Sequence, residues 1–85
     1  MHGKRVVVFL APGTGEVAFV AGRRVGGAVE RNRARRILRA AWRQMADGDK
    51  DTDVVLVARE AIRGARTQDL MDEMTDLLHH EDIDR

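Results

Sequence analysis

The stretch that decides the reading runs from Val25 to Arg43, VGGAVERNRARRILRAAWR. Wound at about 100° per residue, it predicts a helix from about Ala28 to Met45 with two distinct sides. Ala34, Ile37, Leu38, Ala41, Trp42 and Met45 fall on one arc, the apolar stripe that docks on a core. Arg31, Arg35, Arg36, Arg39 and Arg43 fall on the adjoining arc, with Arg33 just beyond it. Six guanidiniums within thirteen residues, with no acid between Glu30 and Asp47, repel one another and oppose helix formation. Solvated helix faces ordinarily mix signs. This one calls for an external counter-charge, which a phosphate backbone supplies as condensed counterions are released. Asn has low helix propensity and prefers caps; Asn32, between two of the arginines near the helix start, is either simply a first-turn residue or reads a base edge or a ribose hydroxyl. The spacing leaves both open.

The rest of the chain agrees with this division of labour. Its 85 residues carry a formal net charge of only +1, yet the charge is segregated. Residues 1–45 hold ten Lys and Arg against two acids, a net +8, and residues 46–85 hold five against twelve, a net −7. That asymmetry points to a polyanion-binding part and an acidic remainder. All but two of the bases are Arg, whose planar fork matches phosphates and base edges better than the point charge of Lys. The length fits one small domain, 1–85. The absence of Cys excludes a disulfide scaffold, a thiolate zinc site and a cysteine nucleophile. No apolar run approaches the ~20 residues of a membrane span. Val6–Ala11 is shorter than the ~7–15-residue core of a secretory signal, so the expected location is cytoplasmic.

Val6-Val7-Val8-Phe9-Leu10-Ala11 predicts a strand buried on both faces. Pro12-Gly13-Thr14-Gly15 is a turn signal, and Glu16–Ala21 predicts a second strand, in a hairpin with the first. Gly22–Gly27 reads as an irregular loop. After the helix, Asp47–Asp51 reads as an exposed polar connection, and Asp53–Ala58 as a third strand. Gly64 breaks the chain. Thr67 is placed as the N-cap of a last helix reaching about His79, with a frayed tail over 80–85. That helix carries an apolar stripe of Leu70, Met71, Met74, Leu77 and Leu78. Its acids Asp69, Asp72, Glu73 and Asp76 read as a solvated face. The fold class is α+β, an α/β sandwich of a small mixed sheet of three to four strands covered by two helices, in the order β-β-α-β-α.

The run Arg23-Arg24-Val25-Gly26-Gly27-Ala28-Val29-Glu30-Arg31-Asn32-Arg33-Ala34-Arg35-Arg36-Ile37-Leu38-Arg39 resembles the signature of the bacterial ribonuclease P protein component. That signature has a basic pair, Val/Ile-Gly, Ala-Val-x-Arg-Asn-Arg-x-Lys/Arg-Arg, two apolar residues and an Arg. The flanking strands, the Ala58-Arg59 pair and the closing helix are similar as well. The resemblance implies a ribosomal protein S5 domain 2-like fold with a left-handed crossover. It also implies a non-catalytic protein subunit of an endoribonuclease that removes the 5′ leader from precursor tRNA. The chemistry would belong to the RNA subunit with its Mg²⁺, and the protein would bind no cofactor of its own. By the same resemblance Arg23, Arg24, Arg31, Asn32, Arg33, Arg35, Arg36, Arg39 and Arg43 contact the RNA. Phe9 is a stacking position for the leader, whereas Phe19 is assigned to the core. Gly27 stands where the family usually has Asn, and Val6 where a second aromatic is expected. The family's basic, aromatic-containing helix ahead of the first strand is not in this sequence. Either the start lies upstream of this sequence or the protein is a reduced one; without that helix the expectation is a sheet face open to self-association.

Other chemistry is weaker. Ala11-Pro12-Gly13-Thr14-Gly15-Glu16 faintly resembles a phosphate-binding loop but lacks the terminal Lys-Ser/Thr and a following helix. His79 and His80 are adjacent and point apart on a helix, so they make a poor metal site. The alternatives to a ribonuclease P subunit are a structural or interaction protein that binds acidic partners, a truncated or inactive family member acting only as a general RNA- or polyanion-binding module, and a DNA-binding regulator. The last needs a second helix just upstream of the basic one, where strands are expected instead.

Overall fold

The structure, a computed structural model, describes residues 1–45 and 50–83. Three strands form one sheet: β1 (Val6–Pro12), β2 (Val17–Ala21) and β3 (Thr52–Ala58). Two helices cover one face of it, α1 (Ala28–Met45) and α2 (Thr67–Ile83). α1 lies over β2 and β3, α2 lies over β1, and the helices pack against each other. The strand order is β1-β3-β2, with β3 antiparallel to β1 and parallel to β2. This is the expected α+β sandwich, with three strands.

The expected β1–β2 hairpin does not form, because β3 lies between the two strands. The connection instead crosses the start of β3 and is fastened there. The backbone N–H groups of Thr14, Gly15 and Glu16 all donate to Asp53 Oδ1, at 2.9, 3.0 and 2.9 Å. Gly13 donates to the Asp51 carbonyl at 2.9 Å. A Cβ at Gly13 would overlap the Asp53 carboxylate, and Gly15 has φ +90°, so both glycines are required by the turn. The three N–H groups hold the Asp53 carboxyl below the usual carboxylate range, that of Glu16 contributing most, then that of Thr14; partial desolvation opposes them. The loop considered for phosphate therefore already holds an anion, and that anion is a side chain.

Register sorts the side chains. Val6, Val8 and Leu10 of β1 lie opposite Ala58, Leu56 and Val54. Beyond β3, Val17, Phe19 and Ala21 share the same face. This face meets Ala34, Ile37, Leu38 and Ala41 of α1 and Leu70 and Met74 of α2 to form the core. β1 is buried on both faces only at Val6, Val7 and Val8, while Phe9 and Leu10 are exposed. Burial fails at Phe9 because, among the described residues, no helix covers the second sheet face, whereas Leu10 is 41% exposed although its register puts it on the core face. The outer edge of β1 is paired by the chain's own start: Gly3 donates to Val6, Val8 to Met1 and the Met1 amine to Val8, each at 2.8 Å.

Four local expectations change. The Gly22–Gly27 loop contains a 3₁₀ turn at Arg23–Val25, with Val25 buried in the core. Thr67 is the first helical residue rather than the cap. The Arg66 carbonyl accepts from Leu70, and the Arg66 N–H donates to Asp69 at 2.9 Å, half of a capping box. Glu73 is not part of a solvated face. It accepts from the N–H groups of Arg5 and Val6 at 2.8 and 3.1 Å and pairs with the Arg5 guanidinium at 3.2 Å, so it pins α2 to the start of β1. α2 continues to Ile83, beyond its expected end. Residues 84–85 of the expected tail, residues 46–49 of the polar connection and the side chains of His79 and His80 lie outside the described residues.

Candidate nucleic-acid interface

α1 begins where the sequence places it. The Gly27 carbonyl accepts from Arg31 at 2.9 Å, and Ala34, Ile37, Leu38 and Ala41 are buried. Docking that stripe turns the arginines outward. Arg36, Arg39 and Arg43 are exposed, as is Asn32, and Arg31, Arg33 and Arg35 are half-buried. Among the described residues none of them is paired with an acid. Packing of the apolar stripe overcomes the mutual repulsion, so the charge density is carried at the expense of core energy.

The arginines are not equivalent. Arg33 Nη2 donates to the Ala65 carbonyl at 2.7 Å, which ties α1 to the approach to α2 and gives this residue a structural duty. Arg35 Nη2 donates to Asn32 Oδ1 at 2.5 Å, so Asn32, just past the first turn of α1, orients its neighbour. The guanidinium of Arg39 lies 5.4 Å above the Phe19 ring, within cation–π range. Phe19 itself packs against the core. Arg31 Nε is shielded and has no hydrogen-bond partner among the described residues.

Arg23 and Arg24 are exposed on the 3₁₀ turn that leads into α1. Strand register explains their position. Ala21 and Val6 flank Ala58 from either side, so Gly22–Arg24, Arg59 and Lys4–Arg5 emerge at the same end of the sheet. The opposite end carries Glu16, Asp51 and Asp53. The two ends of the sheet therefore differ in charge, with Glu16 of the basic half and Arg59 of the acidic half each drawn to the opposite group.

Phe9 is not brought together with the arginines. It is 53% exposed and stands beside Val55 on the sheet face away from the helices, with Ala18 next in the row. Val57 and Val20 form a second pair on that face. The molecule therefore has a basic surface on the helix layer and an apolar one with a single aromatic on the bare side of the sheet. Sequence reasoning missed the two carboxylates that organise these surfaces, Asp53 and Glu73. Asp53 had no local signal. Glu73 borders the apolar stripe of α2, which was the available hint. Among the described residues no three acidic or imidazole groups converge to hold a metal, and no helix is long and apolar enough to cross a membrane.

Comparison with known proteins accounts for this combination. The sequence model of the Ribonuclease P family matches residues 1–82. The ribonuclease P protein component of a Nitratiruptor species is 37% identical over 78 residues, 91% of this chain and 72% of that protein. The RNase P protein from Thermotoga maritima superposes with a TM-score of 0.76 at 20% identity, covering 92% of this chain and 80% of the other. That of Staphylococcus aureus superposes with a TM-score of 0.75 at 16% identity, covering 95% and 78%. A sheet of order β1-β3-β2, a basic helix laid across it, and a family model and a relative that match nearly the whole of this chain lead to one conclusion: the chain belongs to the ribonuclease P protein component family.

Proposed function

We propose that this chain is the RNA-binding protein subunit of ribonuclease P and supports removal of 5′ leaders from precursor tRNA in the cytoplasm. The observation that carries the reading is the outer face of α1, where Arg31, Arg35, Arg36, Arg39 and Arg43 find no acid among the described residues. A structured RNA supplies the missing counter-charge. Arg23 and Arg24 continue the same surface, and Arg33 contributes through its position beside Ala65. The Mg²⁺ that supports phosphodiester hydrolysis is assigned to the RNA. This chain's part is to neutralise phosphates that would otherwise repel as the two RNAs approach. The bare sheet face offers Phe9 to an unstacked base of the leader. A recognition-helix reading for DNA gains nothing from the fold, because a strand and a 3₁₀ turn precede α1.

The test is cleavage of precursor tRNA by a bacterial ribonuclease P RNA at low Mg²⁺, with and without the chain. Rescue of cleavage is expected. Binding without rescue would replace the proposal with a general RNA-binding module. Failure of both would remove RNA from its function.

A further inference from the structure

We propose that the cleft lined by Lys4, Arg59, Glu60, Ala61 and Arg63 is a second phosphate-binding site, which carries the RNA footprint off α1 and across the end of the sheet. This inference rests on the RNA-binding reading above. The cleft is open and measures about 470 Å³. It gathers three cations and one acid from two segments far apart in sequence.

Three observations support a phosphate as its ligand. First, the cations are unpaired: among the described residues neither Lys4, Arg59 nor Arg63 forms an ion pair, whereas Arg5, next to Lys4, is matched by Glu73 at 3.2 Å. Second, Arg59 is pre-positioned. Its Nη1 donates to the Gly3 carbonyl at 2.9 Å. That bond holds the guanidinium in place and leaves other N–H groups of the fork for an anion. Third, the cleft is continuous with the surface already described. Ala58 sits between Val6 and Ala21, and neighbouring strands lie about 4.8 Å apart. Lys4, Arg59 and the Arg23–Arg24 pair therefore emerge from adjacent strand ends. The 3₁₀ turn that follows Arg59, Glu60–Ile62, also packs against the Arg23–Val25 turn. One phosphate chain crossing α1 meets these groups in order. The sequence hid this site because its bases look isolated until the strand order is known.

Binding of a bacterial ribonuclease P RNA transcript, titrated over about 50–200 mM salt, separates the possibilities. Lys4→Ala combined with Arg63→Ala should lower the magnitude of the log K against log salt slope by about 1.4–1.8, or ~0.7–0.9 per phosphate contact. Arg59 is left intact because its bond to Gly3 is structural. Glu60→Gln removes the one acid of the cleft and should tighten binding, a gain that a misfolded variant cannot give. Arg31→Ala with Arg35→Ala serves as the reference for the helix surface. A wild-type slope in the Lys4/Arg63 variant, beside a reduced slope in the helix variant, would overturn the cleft and leave the helix interface standing. Wild-type slopes in both would overturn the interface reading and the cleft with it.

Discussion

Single side chains decide more of this molecule than its composition suggests. Asp53 gathers three backbone N–H groups that the Pro12–Glu16 connection cannot satisfy itself. Its carboxyl is held below the ordinary range, so it contributes stability above the unfolded carboxylate pKa of about 4. That contribution fades as pH falls through the lower folded value. Asp53→Asn should therefore melt below the parent at neutral pH, and the gap should close on acidification below about pH 4; thermal melts between neutrality and acid read this directly. Glu73→Ala should cost about 2 kcal/mol, because it orphans the N–H of fully buried Val6 and strands Arg5. Glu73→Gln keeps an acceptor and should cost about half as much, as urea unfolding would show. Phe9→Ala should leave stability nearly unchanged, since the ring is 53% exposed. It should weaken binding of leader-bearing precursor relative to mature tRNA by about 1–3 kcal/mol, the worth of one stacked base.

At the scale of elements, α1 sets function against stability. Arg31, Arg35, Arg39 and Arg43 recur every four residues, and each like-charged step costs about 0.2–0.5 kcal/mol. Arg31→Ala with Arg35→Ala should therefore leave the melting temperature unchanged or slightly raised, the more so because Arg31 Nε is shielded and unpartnered. The same variant should lower the salt slope of RNA binding by about 1.4–1.8. Both helices and all three strands were legible in the sequence, the helices from their apolar stripes and the strands from short β-branched runs, most of them closed by Gly, Pro or acidic residues. The strand order was not. Four residues between Ala11 and Glu16 satisfy a hairpin locally, and only a carboxylate from about forty residues downstream shows that the connection spans β3. Thr67 misled for a similar reason: a good capping residue stood one position past a better-supported start, where Asp69 reaches back to Arg66. The arginines of α1 were legible as a face, but the division among them was not. Arg33 bonded to Ala65 and Arg39 resting on Phe19 are tertiary facts.

For the molecule as a whole, the central position of β3 has a consequence for how it is made. β1 and β2 hydrogen-bond to β3 and not to each other, so residues 1–51 contain both outer strands of a sheet that has no middle. Every β1–β3 pair joins residues some forty to fifty positions apart in the chain, a non-local topology that folds slowly for its size. A fragment ending at Lys50 should show the helical signal of α1 at most, with strand signal and cooperative melting returning only in the full chain; circular dichroism of the two would decide. During synthesis, residues 1–45 are made before β3; they hold ten of the fifteen Lys and Arg residues and have no completed sheet to dock on. A growing chain in that state is a flexible polycation surrounded by RNA. Its first encounter with a nucleic acid can therefore precede its own folding, and arrival of the acidic segment with β3 both completes the sheet and dilutes the excess charge.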